Sequence, residues 1–214
     1  CLQMKRHRLL NFFIDSMRNL FKVASSPMVD KYKEEHRSYI QQKYGEQNFD
    51  QKFERWISIQ KPSLSVVAEH THLLQSIEDS YICGNFYPAL TGACCLGERI
   101  FNQIILAIKD SYKSSPEYKK VYGKGSIIDW EFGIDILVAW DVIGKETERK
   151  YRRLARLRNE SVHFQSKEQD LVAMTKEAIE LINQIVSDLF EIRKDKKFII
   201  WFDVPGELYL RKEA

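Results

Sequence analysis

The 214-residue chain predicts an all-α fold that ends in a short β-hairpin. Apolar residues recur at helical spacing along most of its length, and Gly, Pro and Ser clusters separate the periodic stretches. Only the C-terminal residues follow a strand, turn and strand pattern. A hydrophobic content of 44% suffices for one sizeable core. We therefore expect an N-terminal helical extension over residues 1–62, a helical bundle over residues 63–194 and a β-hairpin over residues 195–214.

The extension is predicted to contain three helices. The first, over residues 9–24, is amphipathic. Residues 29–44 and 49–59 form two further helices that are rich in charge, and the second of these is closed by Pro62. Because polar helices bury little surface on their own, we expect this region to lie over the bundle or to meet a partner.

The bundle is predicted to begin with two helices, over residues 66–83 and 87–112, separated by a break at Gly84 and Asn85. Ser65 can cap the first. The second has apolar residues on more than one face, which indicates a central position. Four small residues would let a neighbouring helix approach it closely: Ala89, Gly92, Ala93 and Gly97.

The rest of the bundle starts with a predicted loop over residues 114–125. Residues 127–143 are apolar enough for a buried helix or a strand pair, and we favour the helix. A basic helix over residues 145–163 and a long amphipathic helix over residues 170–193 follow. Strands over residues 198–202 and 207–211 then flank a turn at Asp203 to Gly206, and such a pair needs the bundle or another chain for support.

Composition narrows the class of protein. The formal net charge of +3 is too small to establish a polyanionic partner. Four cysteines (Cys1, Cys83, Cys94 and Cys95) match neither a metal knuckle nor a secreted disulfide framework, so we expect a reduced, cytoplasmic protein. No segment is apolar enough to predict a membrane anchor. The start at Cys1 rather than Met is compatible with a trimmed piece of a longer protein.

The basic helix ends in the segment that carries the functional prediction. Arg158 supplies a permanent cation suited to phosphate oxygens, and His163 supplies an imidazole that can move a proton near neutral pH. Asn159 lies four residues before His163, so on a helix its amide shares a face with the ring and can orient it. Upstream, a stripe of arginines is a candidate RNA contact: Arg149, Arg152, Arg153 and Arg156.

This pattern resembles the HEPN superfamily of all-α domains, which is marked by an Arg, a polar residue directly after it, and a His four to six residues beyond the Arg. Here the matching residues are Arg158, Asn159 and His163. The motif closes a basic helix, a long amphipathic helix follows it, and a two-helix unit around residues 84–89 precedes it. The resemblance covers about residues 63–194.

Many HEPN proteins are endoribonucleases that need no metal or other cofactor and form one composite site across a homodimer. The resemblance implies that His163 acts as general acid or base, that Arg158 stabilises the phosphorane, and that Asn159 positions either one. Glu98 could supply a supporting acidic residue. Such proteins commonly act as toxins or antiviral defence effectors restrained by a protein partner. Phe164 and Gln165 follow His163 without the tyrosine of the toxins paired with a nucleotidyltransferase, which counts against that pairing.

Several alternatives stay open. The chain could be a non-catalytic HEPN-like dimerisation module or a module that binds nucleotide or RNA. The arginine stripe could be a solvated face paired with glutamates. His70 and His72, two residues apart on a helix, are expected to be ordinary surface or boundary residues rather than joint metal ligands. A metal-dependent nuclease would instead use a scattered acidic set: Asp129, Glu131, Asp135 and Asp141.

Overall fold

The structure is a computed structural model that describes residues 27–62, 70–162, 168–191, 193–194 and 200–201. Within these ranges the chain is helical apart from one short strand pair, which confirms the all-α class. The predicted helix over residues 9–24, the cap at Ser65, His163 and the strand over residues 207–211 lie outside the described residues. No helix in the described ranges is both long and apolar enough to cross a membrane.

The helix bounds follow the sequence prediction closely. Residues 127–143 contain a helix rather than strands, as favoured, whereas the predicted loop over residues 114–125 contains one helical turn around the buried Val121. A 3-10 helix, Lys109–Tyr112, continues the fourth α-helix. The α-helices are α1 (Pro27–Tyr44), α2 (Phe49–Ser58), α3 (Thr71–Ile82), α4 (Phe86–Ile108), α5 (Tyr118–Val121), α6 (Trp130–Ala139), α7 (Lys145–Val162) and α8 (Glu168–Phe190).

Helix α4 is the centre of the bundle and packs against α3, α6, α7 and α8. Its small residues permit this. A Cβ atom at Gly97 would lie 2.6 Å from Leu154 Cδ2 of α7 and 3.2 Å from Trp130 Cη2 of α6. Real side chains do not approach so closely, so only glycine lets these helices meet here. The predicted close approach on this helix is confirmed.

The turn between α3 and α4 depends on Gly84. This residue has φ of 90°, a conformation that glycine adopts at little cost. The amide of Asn85 then donates to the carbonyl oxygen of Ser80 at 2.8 Å, which satisfies a carbonyl in the last turn of α3. The predicted break at Gly84 and Asn85 is confirmed.

The two N-terminal helices in the described part pack onto the bundle through α3. Lys43 Nζ and Tyr44 Oη both donate to Asp79 Oδ1, at 3.0 and 2.6 Å, and Arg55 Nη1 donates to the carbonyl oxygen of Ile82 at 3.2 Å. Phe53 of α2 is buried in the common core. The described part of the N-terminal extension therefore lies over the bundle, which is the first of the two arrangements expected from the sequence.

Helices α4 and α7 run antiparallel. The Phe101 and Tyr151 rings lie 6.2 Å apart, and Cys94 Sγ lies 4.0 Å from the carbonyl oxygen of Leu154. The N-terminal end of α7 is thus beside the C-terminal end of α4. Consequently, the end of α7 that carries Arg158 lies beside the first half of α4.

The described residues near the C-terminus contain one strand pair, while the predicted pairing of residues 198–202 with residues 207–211 lies outside the described residues. Strand β1 (Arg193–Lys194) pairs antiparallel with β2 (Ile200–Trp201). Strand β2 lies within the predicted strand over residues 198–202, and β1, with which it pairs, precedes it in the chain. Strand β1 begins three residues after the end of α8, which ends at Phe190 rather than at about residue 193.

Candidate nucleic-acid interface

Helix α7 buries one side and presents its charges on the other. Tyr151, Leu154 and Leu157 are fully buried between α4, α6 and α8. Burial raises the pKa of the Tyr151 phenol, so this group stays neutral inside the core. The apolar residues recur every three or four positions, which fixes the direction in which the arginines point.

Arg152 is surrounded by carboxylates. Its Nη2 donates to Asp135 Oδ1 at 2.8 Å, its Nε donates to Glu148 Oε1 at 2.9 Å, and its Nη1 pairs with Glu131. Hydrogen bonds to Asp135 and Glu148 raise the already high pKa of this guanidinium. A phosphate would have to displace these partners before it could reach Arg152.

Arg153 and Arg149 are also paired. Arg153 makes a bidentate contact with Glu177 of α8, with Nε and Nη2 at 2.6 and 2.7 Å from the two carboxylate oxygens. Its Nη1 lies 3.3 Å from Glu160 Oε1. Arg149 pairs with Glu146 one turn before it. These contacts favour a solvated, ion-paired face for this part of the stripe over direct RNA contact.

The C-terminal end of α7 differs from the rest of the helix. Arg156, Arg158 and Asn159 are exposed, and neither arginine forms an ion pair with any residue that the structure describes. Arg158 Nη1 lies 3.4 Å from Asn159 Oδ1, so the amide accepts a weak hydrogen bond from the guanidinium. Free positive charge on the predicted arginine stripe is therefore concentrated beside the motif.

His163 directly follows α7 and lies outside the described residues. The structure therefore places two of the three predicted motif residues, Arg158 and Asn159, and brings them together. Just before His163, Ser161 is buried and its hydroxyl donates to the carbonyl oxygen of Arg158 at 2.7 Å. This bond satisfies a carbonyl in the last turns of α7.

Cys94 lies under the motif end of α7. Burial raises the pKa of this thiol to about 12, although the positive charge of Arg158 acts in the opposite direction. The thiol therefore stays protonated at neutral pH and packs as a small apolar group. Cys83, Cys94 and Cys95 are all free thiols.

Glu98 takes part in a contact between helices. Trp130 Nε1 of α6 donates to Glu98 Oε2 at 2.9 Å. The indole of Trp130 thereby satisfies its only donor, and α6 is held against α4. This contact gives Glu98 a packing role, and a supporting role beside the motif stays a prediction.

The acidic residues considered for a metal site have separate tasks. Asp129 caps α6 by accepting from the amide of Phe132 at 3.2 Å, and Glu131 and Asp135 bind Arg152. Asp141 is exposed in the turn after α6. Across the described ranges, no three His, Cys, Asp or Glu side chains are grouped as a metal site requires.

The expectation for His70 was wrong in one respect. His72 is exposed, as predicted, whereas His70 is buried with Nε2 against Gln103 Oε1 of α4. Its position just before α3 turns the ring towards the core, which the spacing of the two histidines does not reveal. A buried ring with an amide partner joins α3 to α4.

Lysines without carboxylate partners occur in a part of the chain for which the sequence predicted only a loop. Residues 109–124 carry five lysines against Asp110 and Glu117. Lys113, Lys119, Lys120 and Lys124 are exposed, and none of them forms an ion pair within the described part of the chain. A count of charged residues along the sequence would have revealed the excess of lysines in this segment. The seven cations of α7 form a more conspicuous basic stretch.

Comparisons of this chain with protein-family models, with curated proteins and with solved structures gave no match. The family of the chain is therefore argued from its own residues.

Proposed function

We propose that this protein is a metal-independent endoribonuclease of the HEPN type. One observation supports the proposal most strongly. The arginines in the first part of α7 are ion-paired, whereas Arg156 and Arg158, within seven residues before His163, are exposed and form no ion pair with the described residues. A cation that precedes a histidine by five residues in the sequence, and that no described carboxylate binds, suits a phosphodiester.

The proposed reaction uses the ribose itself as nucleophile. The 2′-oxygen attacks phosphorus, the bond to the 5′-oxygen breaks, and the products carry a 2′,3′-cyclic phosphate and a 5′-hydroxyl. His163 accepts the proton of the 2′-hydroxyl or donates one to the leaving oxygen. Arg158 stabilises the negative charge that develops on the phosphorane, and Asn159 orients the guanidinium through the contact between their side chains.

The resemblance further suggests a homodimer in which two motif helices supply one site. The biological role would then be that of a toxin or an antiviral defence effector, held in check by a protein partner. The buried side of α7 contacts α4, α6 and α8, so only its charged side is open to a second copy or to RNA.

Product chemistry tests the proposed reaction. The protein is incubated in chelator with a single-stranded RNA and with the same sequence as DNA. We expect cleavage of the RNA alone, with 2′,3′-cyclic phosphate ends identified by mass spectrometry, because DNA lacks the attacking hydroxyl. Cleavage of both strands, or products with a 3′-hydroxyl, would refute the mechanism.

The same assay separates the alternatives. Tight RNA binding without products would favour the non-catalytic module. Loss of cleavage in chelator, with recovery on adding a divalent ion, would favour a metal-dependent nuclease.

A further inference from the structure

Residues 109–124, the lysine–tyrosine segment, are firmly attached to the bundle. The Tyr112 ring stacks on Trp140 with centroids 4.6 Å apart and planes inclined by 4°. Trp140 Nε1 also donates to Ser115 Oγ at 2.8 Å. Val121 is completely buried beneath the single turn of α5. These contacts fix the conformation of the segment on the surface of the bundle.

The exit from the segment is fixed as well. The Asn102 side chain of α4 binds both backbone groups of Ile127, accepting from its amide at 2.6 Å and donating to its carbonyl oxygen at 2.8 Å. Lys109 Nζ donates to the carbonyl oxygen of Tyr122 at 3.1 Å. One of the five lysines therefore stabilises the turn after α5. The other four are exposed, and one of them, Lys124, has its Nζ 4.7 Å from the centre of the Phe132 ring.

The four exposed lysines give the segment a positive surface. Asp110, one of its two acidic residues, accepts a hydrogen bond from the Tyr118 hydroxyl at 3.3 Å. The lysines of the segment outnumber its carboxylates by three, which equals the net charge of the whole chain. Elsewhere, most charges on α7 are cancelled by carboxylates, so the segment is a major source of uncompensated charge.

An exposed aromatic ring lies among these lysines. Tyr122 is 67% exposed and leans on Tyr118, with ring centroids 5.7 Å apart. Bases of single-stranded nucleic acids stack on such rings, while lysines nearby bind the phosphates. The apolar residue of α5, Val121, points into the core, so α5 has no apolar face to insert into a bilayer.

The lysine–tyrosine segment and the motif lie at opposite ends of α7. The segment follows the C-terminal end of α4, next to the start of the antiparallel α7. With 18 residues, α7 is about 27 Å long. An RNA that occupies both places must therefore be much longer than the dinucleotide that spans one scissile linkage.

We propose that the lysine–tyrosine segment is a second RNA-binding surface, which holds single-stranded RNA at a distance from the cleavage site. This inference rests on the proposed function for the identity of its ligand. Lys113, Lys119, Lys120 and Lys124 bind phosphates, and Tyr122 stacks on a base.

Binding is measured with a long single-stranded RNA whose 2′-hydroxyls are replaced by fluorine, so that the strand cannot be cleaved through its own oxygen. The Lys119→Glu/Lys120→Glu variant should raise Kd about tenfold and lower the slope of log Kd against log salt by about 1.4, the value for two phosphate contacts on a single strand. Tyr122→Ala should raise Kd about fivefold through lost stacking.

The matched control is Lys31→Glu/Lys33→Glu on α1, which changes the net charge by the same amount. It should leave Kd within about twofold, because these lysines belong to α1 and not to the segment, and salt screens attraction between exposed charges that are not in contact. Equal losses in both double variants, or none in the segment variant, would overturn the inference. So would binding of anionic phospholipid vesicles in place of RNA.

Cleavage assays distinguish a failure of the RNA-binding inference from a failure of the nuclease proposal. The segment variant should cut a dinucleotide at the wild-type rate and lose efficiency only on long RNA. If wild-type protein cuts nothing but the segment variant still loses RNA binding, the nuclease proposal fails and the surface stands. If long RNA is cut and bound equally well by both, the surface fails and the nuclease proposal stands.

Discussion

At the scale of single residues, the arginines of α7 share one basic helix but have different surroundings. Arg152 and Arg153 are held by carboxylates from α6 and α8, whereas Arg158 has only the amide of Asn159 as a described partner. A guanidinium without a competing anion can bind a phosphate at lower cost, because no existing ion pair must break. The arginines that are available to bind phosphate are therefore distinguished by their distance from carboxylates, and not only by their place on a basic helix.

Arg158→Ala and Arg149→Ala should have unequal effects on RNA cleavage. Removing Arg158 should lower kcat about 100-fold or more, the usual loss when a group that stabilises transition-state charge is deleted. Arg149 is exposed and, among the described residues, pairs with Glu146 alone, so its removal should change kcat less than threefold, a small effect like that of most exposed ion pairs. Single-turnover rates on one RNA measure both. Equal losses would show that general positive charge, rather than Arg158, drives the reaction.

Asp79 predicts a pH dependence of stability. Burial acts to raise its pKa, but hydrogen bonds from Tyr44, Lys43 and Gln75 outweigh this and hold the pKa below its ordinary value of 3.8. A pKa that is lower in the folded than in the unfolded state stabilises the fold above about pH 4 and loses this effect as pH falls through the folded value.

We therefore expect Asp79→Asn to lower the free energy of unfolding at pH 7 by about 1 kcal/mol or less, since the carboxylate is partly exposed. The difference from wild type should shrink below pH 4. Urea unfolding at several pH values measures this, with the exposed Asp30→Asn as the control for a lost carboxylate. A difference that grows on acidification would contradict the assigned contacts.

At the scale of helices, tight approach at glycines fixes how α4, α6 and α7 pack. A Cβ atom at Gly133 of α6 would lie 2.7 Å from Phe101 Cε2 and 2.9 Å from Phe101 Cδ2. The Phe101 ring is fully buried and also contacts Tyr151 of α7. A shift of this ring would therefore disturb two helix contacts together.

Gly133→Ala should lower the free energy of unfolding by about 1 kcal/mol, because overpacking of about 1–3 kcal/mol exceeds the gain of about 1 kcal/mol in helix propensity. The same change at Gly123, where nothing lies within 4 Å of the added atom, should be neutral or slightly stabilising. Denaturant unfolding of both variants tests the difference. Phe101→Leu combined with Gly133→Ala should cost less than the sum of the two single changes.

Helical periodicity was sufficient to predict the long helices but not the contacts between them. The helices over residues 29–44 and 145–163 begin and end within about two residues of the prediction, because their apolar positions recur at helical spacing. Helix α5 was missed since a single turn shows no periodicity. Glu131, Asp135 and Glu177 neutralise arginines from elsewhere in the chain, and no local pattern reveals such partners.

At the scale of the whole molecule, the described part of the chain is a helical bundle with uncompensated positive charge in two regions near α7. One lies at the motif end of α7 and the other in the lysine–tyrosine segment beside its start. Between them, ion pairs cancel most of the charge of the helix. A long polyanion would be attracted to both ends, as the proposed cleavage of extended single-stranded RNA requires.

The dimer and the histidine belong to the same prediction. His163 follows the exposed end of α7, where two copies could contribute one site. Its removal should stop the chemistry, and thermal unfolding checks that the variant keeps the fold. The exposed His72 of α3 provides a matched control for loss of an imidazole.

The most direct test is the rate at which His163→Ala cleaves single-stranded RNA in chelator, compared with wild type and His72→Ala. We predict a loss of about 100-fold or more for His163→Ala alone, as expected when a general acid or base is removed, with unchanged thermal unfolding and an unchanged molecular mass in solution. Undiminished cleavage by a folded His163→Ala protein would contradict the account.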